Sequence, residues 1–309
     1  MAGTSRNDAR IPVSDELFAP VGSGVELCYQ TFGDPDGEPL LLVMGLGGPM
    51  TWWDPDFCRM LAERGHYVIR YDNRDTGRSS RIKARVRRPA LLRAFAGRGG
   101  RPPYTLRDMA EDGFGLLDHL GLGAAHVVGI SMGGMIAQTM AIAHPERVRS
   151  LTSIMSTTGK RSVGWQHPRL LPVLIASRGA GRDAYAAGSA KTWALIGSPA
   201  FPQTHDDVVA RAHETFDRGV SASGVMRQML AILHEGDRSP ALHSLRMPAL
   251  VIHGLADRMV HVSGGRATAR ALPDAELLVI EGMGHDLPTD LYQTFVDAID
   301  RTVRRADQG

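Results

Sequence analysis

The sequence predicts an α/β fold: a mostly parallel central sheet, helices on both of its faces, and a helical cap inserted late in the chain. Three observations predict it. Short apolar runs closed by glycine or polar residues recur along the chain, and helical segments lie between them. One long interval, residues 156–246, then breaks the rhythm and reads as helices and loops.

Taken in order, residues 1–20 read as a loose leader, because Met1 to Arg10 is polar and holds no apolar run. Val25–Gln30 alternates like an edge strand, and Gly33–Gly37 is a turn whose Gly and Asp residues supply special backbone angles. Leu40–Met44 is a continuous apolar run, as expected of a strand buried on both faces. His66–Tyr71, Ala125–Gly129, Arg149–Met155, Ala249–His253 and Glu276–Ile280 repeat that pattern. Thr105 to Leu120 reads as a helix opened by the capping pair Thr105 and Asp108. Gly133–Ala143 and Leu287–Val303 are the other clear helices. The core is therefore placed at 21–155 and 247–309, with the cap at 156–246 and its apolar parts at Leu170–Ile175 and Val225–Leu233. A single unit with an insertion suits this length.

Composition narrows the function classes. The 309 residues carry 35 Lys+Arg against 33 Asp+Glu, a formal net charge of +2, which does not suggest a nucleic-acid binder. Cys28 and Cys58 form neither a disulfide framework nor a zinc-ligand cluster and read as buried small hydrophobes. With no secretory signal and no apolar run long enough for a membrane span, the default compartment is the cytoplasm.

The chemistry centres on Gly129-Ile-Ser-Met-Gly133. A serine between a strand and a helix, with glycines two residues to either side, is a nucleophile elbow; the glycines let strand and helix approach closely. A hydroxyl is a poor nucleophile at neutral pH and needs a base oriented by a third group. On sheets of this kind the partners follow in the order serine, acid, histidine. Asp257 lies just past the strand ending at His253, and His285 follows the next strand behind two glycines in Glu281-Gly-Met-Gly-His285. His253, His261 and Asp286 are rivals; the Ser156–Gly159 exit offers no carboxylate. His126, His144 and His234 carry no such context. The oxyanion donors are expected at the backbone N–H of Met132, which follows the nucleophile, and of Leu46 in the Met44–Gly48 loop.

These motifs in this order resemble the α/β-hydrolase superfamily from about residue 21 to 305. Met44–Gly47, Tyr71–Ser79, Gly129–Gly134, Gly254–Asp257 and Gly282–His285 carry the resemblance. The Arg70–Ser79 run and the Met-Gly opening are most similar to the aclacinomycin methylesterase-like group and to actinobacterial carboxylesterases of the lipase G type. The resemblance implies that nucleophile, acid, base and oxyanion donors carry over to Ser131, Asp257, His285, and the N–H groups of Leu46 and Met132. Met44 stands where many relatives have His before the oxyanion loop. Ser131, where epoxide hydrolases and haloalkane dehalogenases use Asp, argues against those two reactions.

The sequence-based expectation is therefore a carboxylic ester hydrolase working through an acyl-enzyme on a small lipophilic ester, with no metal and no organic cofactor. Alternatives on the same triad are a cofactor-free haloperoxidase or perhydrolase, a C–C bond hydrolase and a thioesterase; a non-catalytic binding module predicts a broken triad. Arg78 to Arg107 holds ten Lys/Arg and no acid. That basic insertion (78–107) suits an anionic lipid surface, an acidic carrier or an anionic substrate tail, or is simply a solvated loop. Leu91, Leu92, Ala94 and Phe95 form a short amphipathic turn within it.

Overall fold

A computed structural model describes residues 11–170 and 181–308. Among them, eight strands build one sheet: β1 (Leu17–Gly22), β2 (Val25–Phe32), β3 (Glu38–Val43), β4 (His66–Tyr71), β5 (Ala125–Ile130), β6 (Val148–Ile154), β7 (Ala249–Gly254) and β8 (Ala275–Ile280). Their spatial order is β1-β2-β4-β3-β5-β6-β7-β8. The pairs β1/β2 and β2/β4 are antiparallel, and every pairing from β4 to β8 is parallel.

The apolar runs dictate this arrangement. Alternate residues of each central strand feed opposite cores, so neither face can be left to water. Leu41, Val43, Ile69, Val127, Leu151 and Val251 share one core with α3 (Leu106–His119) and α4 (Met132–Ala143). Leu40, Leu42, Val68, Val128, Leu250 and Ile252 point the other way, toward α1 (Pro55–Ala62) and α10 (Tyr292–Ala306). Helix α3 starts on the expected capping box, with Thr105 and Asp108 exchanging hydrogen bonds. The chain passes from β3 to β4 on one side and then to β5 on the other, so strand order reverses between β3 and β5. A parallel sheet binds its ligands outside the strand C-termini at such a reversal.

Two expectations need correction. The leader does not extend to residue 20, because Leu17–Gly22 is the strand β1. Val25–Gln30 is consequently not an edge strand; β2 lies between β1 and β4. The signal was weak for a physical reason: Ala19 alone is fully buried along β1, so the segment shows no apolar face.

Between β6 and β7 lie α5 (Arg182–Ile196), α6 (His205–Gly219), α7 (Ala222–His234) and the short α8 (Ser239–Leu242). The apolar run Val225–Leu233 falls in α7, whereas most of Leu170–Ile175 lies outside the described residues. The remaining elements are α2 (Arg88–Phe95) in the basic segment and α9 (Ser263–Ala271) between β7 and β8. Cys28 and Cys58 are buried free thiols, and burial pushes both up to about 12.

Candidate active site

Ser131 sits at the turn from β5 into α4 with φ of 55° and ψ of −117°. A non-glycine residue held there stores about 1–3 kcal/mol of backbone strain. The neighbours explain how the strain is sustained. A Cβ on Gly129 would overlap the carbonyl of Gly133, and one on Gly133 would overlap that of Val43. Strand, turn and helix therefore touch backbone to backbone, and the hydroxyl is lifted clear of the sheet at the point where strand order reverses.

The three separated residues meet there. His285 Nε2 lies 3.1 Å from Ser131 Oγ, and His285 Nδ1 lies 2.7 Å from Asp257 Oδ2. With Nδ1–H donating to the carboxylate, Nε2 is left as an acceptor facing the serine hydroxyl. The Asp257 side chain is fully buried and that of His285 is 10% exposed, so water competes little for either.

Asp257 is strongly solvated by protein groups. Its Oδ1 accepts from the N–H groups of Met259 and Val260, each at 2.9 Å. Burial by itself would raise its pKa. The nearby His285 and His253 rings and its hydrogen bonds outweigh that, and hold it well below the ordinary carboxylate range. It is thus an anion, as an orienting group for an imidazole must be.

The rivals have other partners. His253 is buried; its Nε2 lies 2.7 Å from the Val260 carbonyl oxygen and 3.4 Å from Asp257 Oδ2. His261 stacks on Trp165 with ring centroids 4.2 Å apart. Asp286 accepts hydrogen bonds from Ser198 Oγ and from Gln203 Nε2, the latter at 3.1 Å, and burial pushes its pKa up.

The loop carrying His285 is aimed by contacts with the end of α5. The His285 N–H donates to the Ile196 carbonyl at 2.7 Å and the Gly284 N–H to Ser198 Oγ at 2.8 Å. Gly284 fits because any Cβ there would overlap the Ile196 carbonyl.

The Met44–Gly48 loop runs beside Ser131. A Cβ on Gly45 would lie 3.3 Å from Ser131 Cβ. Asn73 Nδ2 donates to the Met44 carbonyl at 2.9 Å, and Gly48 N–H donates to the Gly45 carbonyl at 3.2 Å. Among the described residues, no protein acceptor takes the N–H of Leu46 or of Met132.

Several residues around the site escaped sequence reasoning. Asp72 is fully buried, accepts from Met50 N–H at 2.7 Å and pairs with Arg218 of α6 at 2.8 Å. Asp75 pairs with Arg227 of α7 through two bonds of 2.7 and 2.6 Å and accepts from Tyr104 Oη at 2.7 Å. Gln228 of the same helix bonds the Gly47 N–H. The signal for half of these was present, since Asp72 and Asp75 lie in the Arg70–Ser79 run. Their arginine partners, Arg218 and Arg227, more than 100 residues away, had no local mark.

Comparison with known proteins accords with this geometry. A family model described as alpha/beta hydrolase fold matches residues 38–290. Rhodomycin D methylesterase DauP of Streptomyces sp. (strain C5) is 30% identical over 307 residues, covering 91% of this chain and 96% of that one. The 3-oxoadipate enol-lactonase 2 of Acinetobacter baylyi is 28% identical, covering 91% and 94%. Among solved structures, a 2-hydroxy-6-oxo-6-phenylhexa-2,4-dienoate hydrolase from Rhodococcus sp. strain RHA1 superposes with a TM-score of 0.70 at 20% identity, covering 97% of this chain and all of that one. At that identity the likeness concerns the fold alone.

Proposed function

The chain belongs to the alpha/beta hydrolase fold family, and from that premise we propose that it is a serine hydrolase cleaving a carboxylic ester through an acyl-enzyme. The observation that carries this reading is the continuous hydrogen-bonded line from Asp257 through His285 to Ser131. In the proposed mechanism, Nε2 of His285 takes the proton of Ser131 as Oγ attacks the ester carbonyl. Asp257 holds the imidazole in its tautomer and steadies the imidazolium. The oxyanion is met by the N–H groups of Leu46 and Met132. His285 then returns the proton to the leaving alkoxide, and the same ring activates water to release the acid.

The methylesterase and lactonase relatives support an ester or lactone carbonyl as the target. A small methyl ester of a lipophilic acid is the substrate class proposed, acted on in the cytoplasm without metal or organic cofactor. No described helix is long and apolar enough to cross a membrane.

The test is hydrolysis of methyl and p-nitrophenyl esters of increasing acyl length, with a fluorophosphonate probe to locate the reactive serine. Ser131→Ala should lower kcat by about 10⁴-fold or more and abolish labelling. Undiminished turnover in that variant, or labelling at another residue, ends the proposal. Peroxide-dependent halogenation exceeding ester hydrolysis would favour the perhydrolase alternative instead.

For the basic segment, an anionic lipid surface is favoured over the other partners. Leu92 and Phe95, three residues apart on α2, are 73% and 67% exposed beside Arg93. Exposed apolar side chains next to cations suit an anionic lipid–water interface. Retention on phosphatidylglycerol vesicles but not on phosphatidylcholine vesicles, lost in Leu92→Ser/Phe95→Ser, is the expected result. Equal partitioning of both proteins would leave the segment as a solvated loop.

A further inference from the structure

The oxyanion loop is held by a residue of the inserted helices. Gln228 lies on α7 and is fully buried. Its Oε1 accepts the Gly47 N–H at 2.9 Å, while its Nε2 donates to the Arg74 carbonyl and to Thr76 Oγ1, both at 2.9 Å. One side-chain amide thus ties the loop after β3 to the turn after β4. Its orientation is fixed by chemistry: a flipped amide would oppose its own NH₂ to the Gly47 N–H and its oxygen to the Arg74 carbonyl.

The helix that carries Gln228 is itself anchored. Arg227 pairs with Asp75 and donates to the Ala84 carbonyl at 2.6 Å. Gly224 lies so close to Asp75 that a Cβ would overlap the Asp75 carbonyl. Val225 closes on Gly47, whose φ of 65° suits glycine. These contacts leave α7 little freedom to slide over the loop.

The consequence falls on Leu46. In a planar trans peptide the C=O and N–H point in opposite directions. The Gly45 carbonyl is engaged by Gly48 N–H, so the Leu46 N–H must point the other way. The peptide before it is held at the Met44 carbonyl by Asn73, and the peptide after it at the Gly47 N–H by Gln228. Removing the Gln228 bond frees the peptide between Leu46 and Gly47, within the turn whose Gly48 N–H holds the Gly45 carbonyl, and so loosens the aim of the Leu46 N–H.

We infer that Gln228 is a positioning residue for the oxyanion: it acts through Gly47 and sets the direction of the Leu46 N–H. This rests on the ester-hydrolase reading for its chemistry, but its test does not. The rate at which a fluorophosphonate labels Ser131 depends on the nucleophile and on the oxyanion donors, whatever the natural substrate. Slow labelling of the wild-type protein would count against the serine-hydrolase reading, whereas fast labelling without ester turnover would count against the ester alone.

Two variants separate aim from mere packing. Gln228→Glu keeps an acceptor for the Gly47 N–H and, with its second oxygen protonated in this buried site, a donor for the Arg74 carbonyl; Gln228→Met fills similar space with neither. Loss of a whole oxyanion donor costs about 10²–10³-fold in kcat, so misdirecting one should cost about 10–100-fold. Gln228→Met is expected to lose that much in labelling rate and in kcat, with KM within about twofold. Gln228→Glu should stay within a few-fold of wild type, whichever variant melts lower. A wild-type rate in Gln228→Met overturns the inference, and so does a loss in both variants that simply tracks their melting temperatures. Amide exchange in the wild-type protein is a check that needs no variant. The Gly47 N–H should exchange slowly, and exchange as fast as an unprotected loop amide would overturn the inference equally.

Discussion

Asp257 and Asp286 lie in the two loops that converge on one imidazole, yet their surroundings push them in opposite directions. Asp257, in the loop after β7, receives two backbone N–H bonds and the His285 ring, and is held as an anion. Asp286, in the loop after β8, is almost as buried but receives a hydroxyl and a side-chain amide, and burial raises its pKa. Proximity to a histidine in the chain therefore says little about which carboxylate orients it. For Asp257 the facing His285 and His253 rings outweigh burial, whereas for Asp286 burial outweighs its hydrogen bonds and nearby cations.

That contrast can be broken or sharpened by substitution. The largest effect is expected for Asp257→Asn, which removes the anion and favours the wrong imidazole tautomer; kcat should fall about 10⁴-fold at neutral pH. If Asp286→Asn falls as far, the assignment of the orienting group is wrong. Next comes Gly129→Ala, whose methyl group would overlap the Gly133 backbone. It should cost more than about 4 kcal/mol, read as a large fall in Tm or loss of soluble protein. Ser198→Ala leaves the Gly284 N–H and the Asp286 carboxyl short of a partner. A stability loss of about 1–3 kcal/mol is expected. A fall of about tenfold in kcat should accompany it, as the His285 loop loosens.

The smallest effect on turnover belongs to Asp286→Asn, which should stay within a few-fold of wild type. Its signature lies in pH dependence. The folded pKa of Asp286 is raised above the ordinary 3.8, so its contribution to stability falls as pH rises through and above that value. Asp257 is the reverse case: its depressed pKa gives stability that is full above 3.8 and lost as pH falls below it. Tm profiles of the two Asn variants against wild type should therefore diverge on opposite sides of pH 4. Coincident profiles would remove the electrostatic distinction.

Much of the fold was legible because it is written locally. The central strands announced themselves through runs such as Leu40–Met44, since a strand covered on both faces has no polar side to hide its pattern. The elbow was legible because Gly129, Ser131 and Gly133 carry their constraint within five residues. Asp257 and His285 could be placed because each follows a readable strand. β1 was not legible, since an edge strand with one buried side chain shows little period. The contacts from Gln228 and Ser198 were also hidden. A buried amide or hydroxyl is used by whatever backbone the fold brings to it, and its neighbours in sequence do not record that.

The inserted helices also have a consequence for how this chain can be re-engineered. Ser198 grips the base-bearing loop and Gln228 grips the loop opposite. A chimera that exchanged residues 182–234 for those of another hydrolase would thus replace the helices between β6 and β7 and, with them, the moorings of both loops beside Ser131. Grafts that preserve those two moorings should alter selectivity alone. Grafts that omit them should be slow toward every substrate, including the donor enzyme's own.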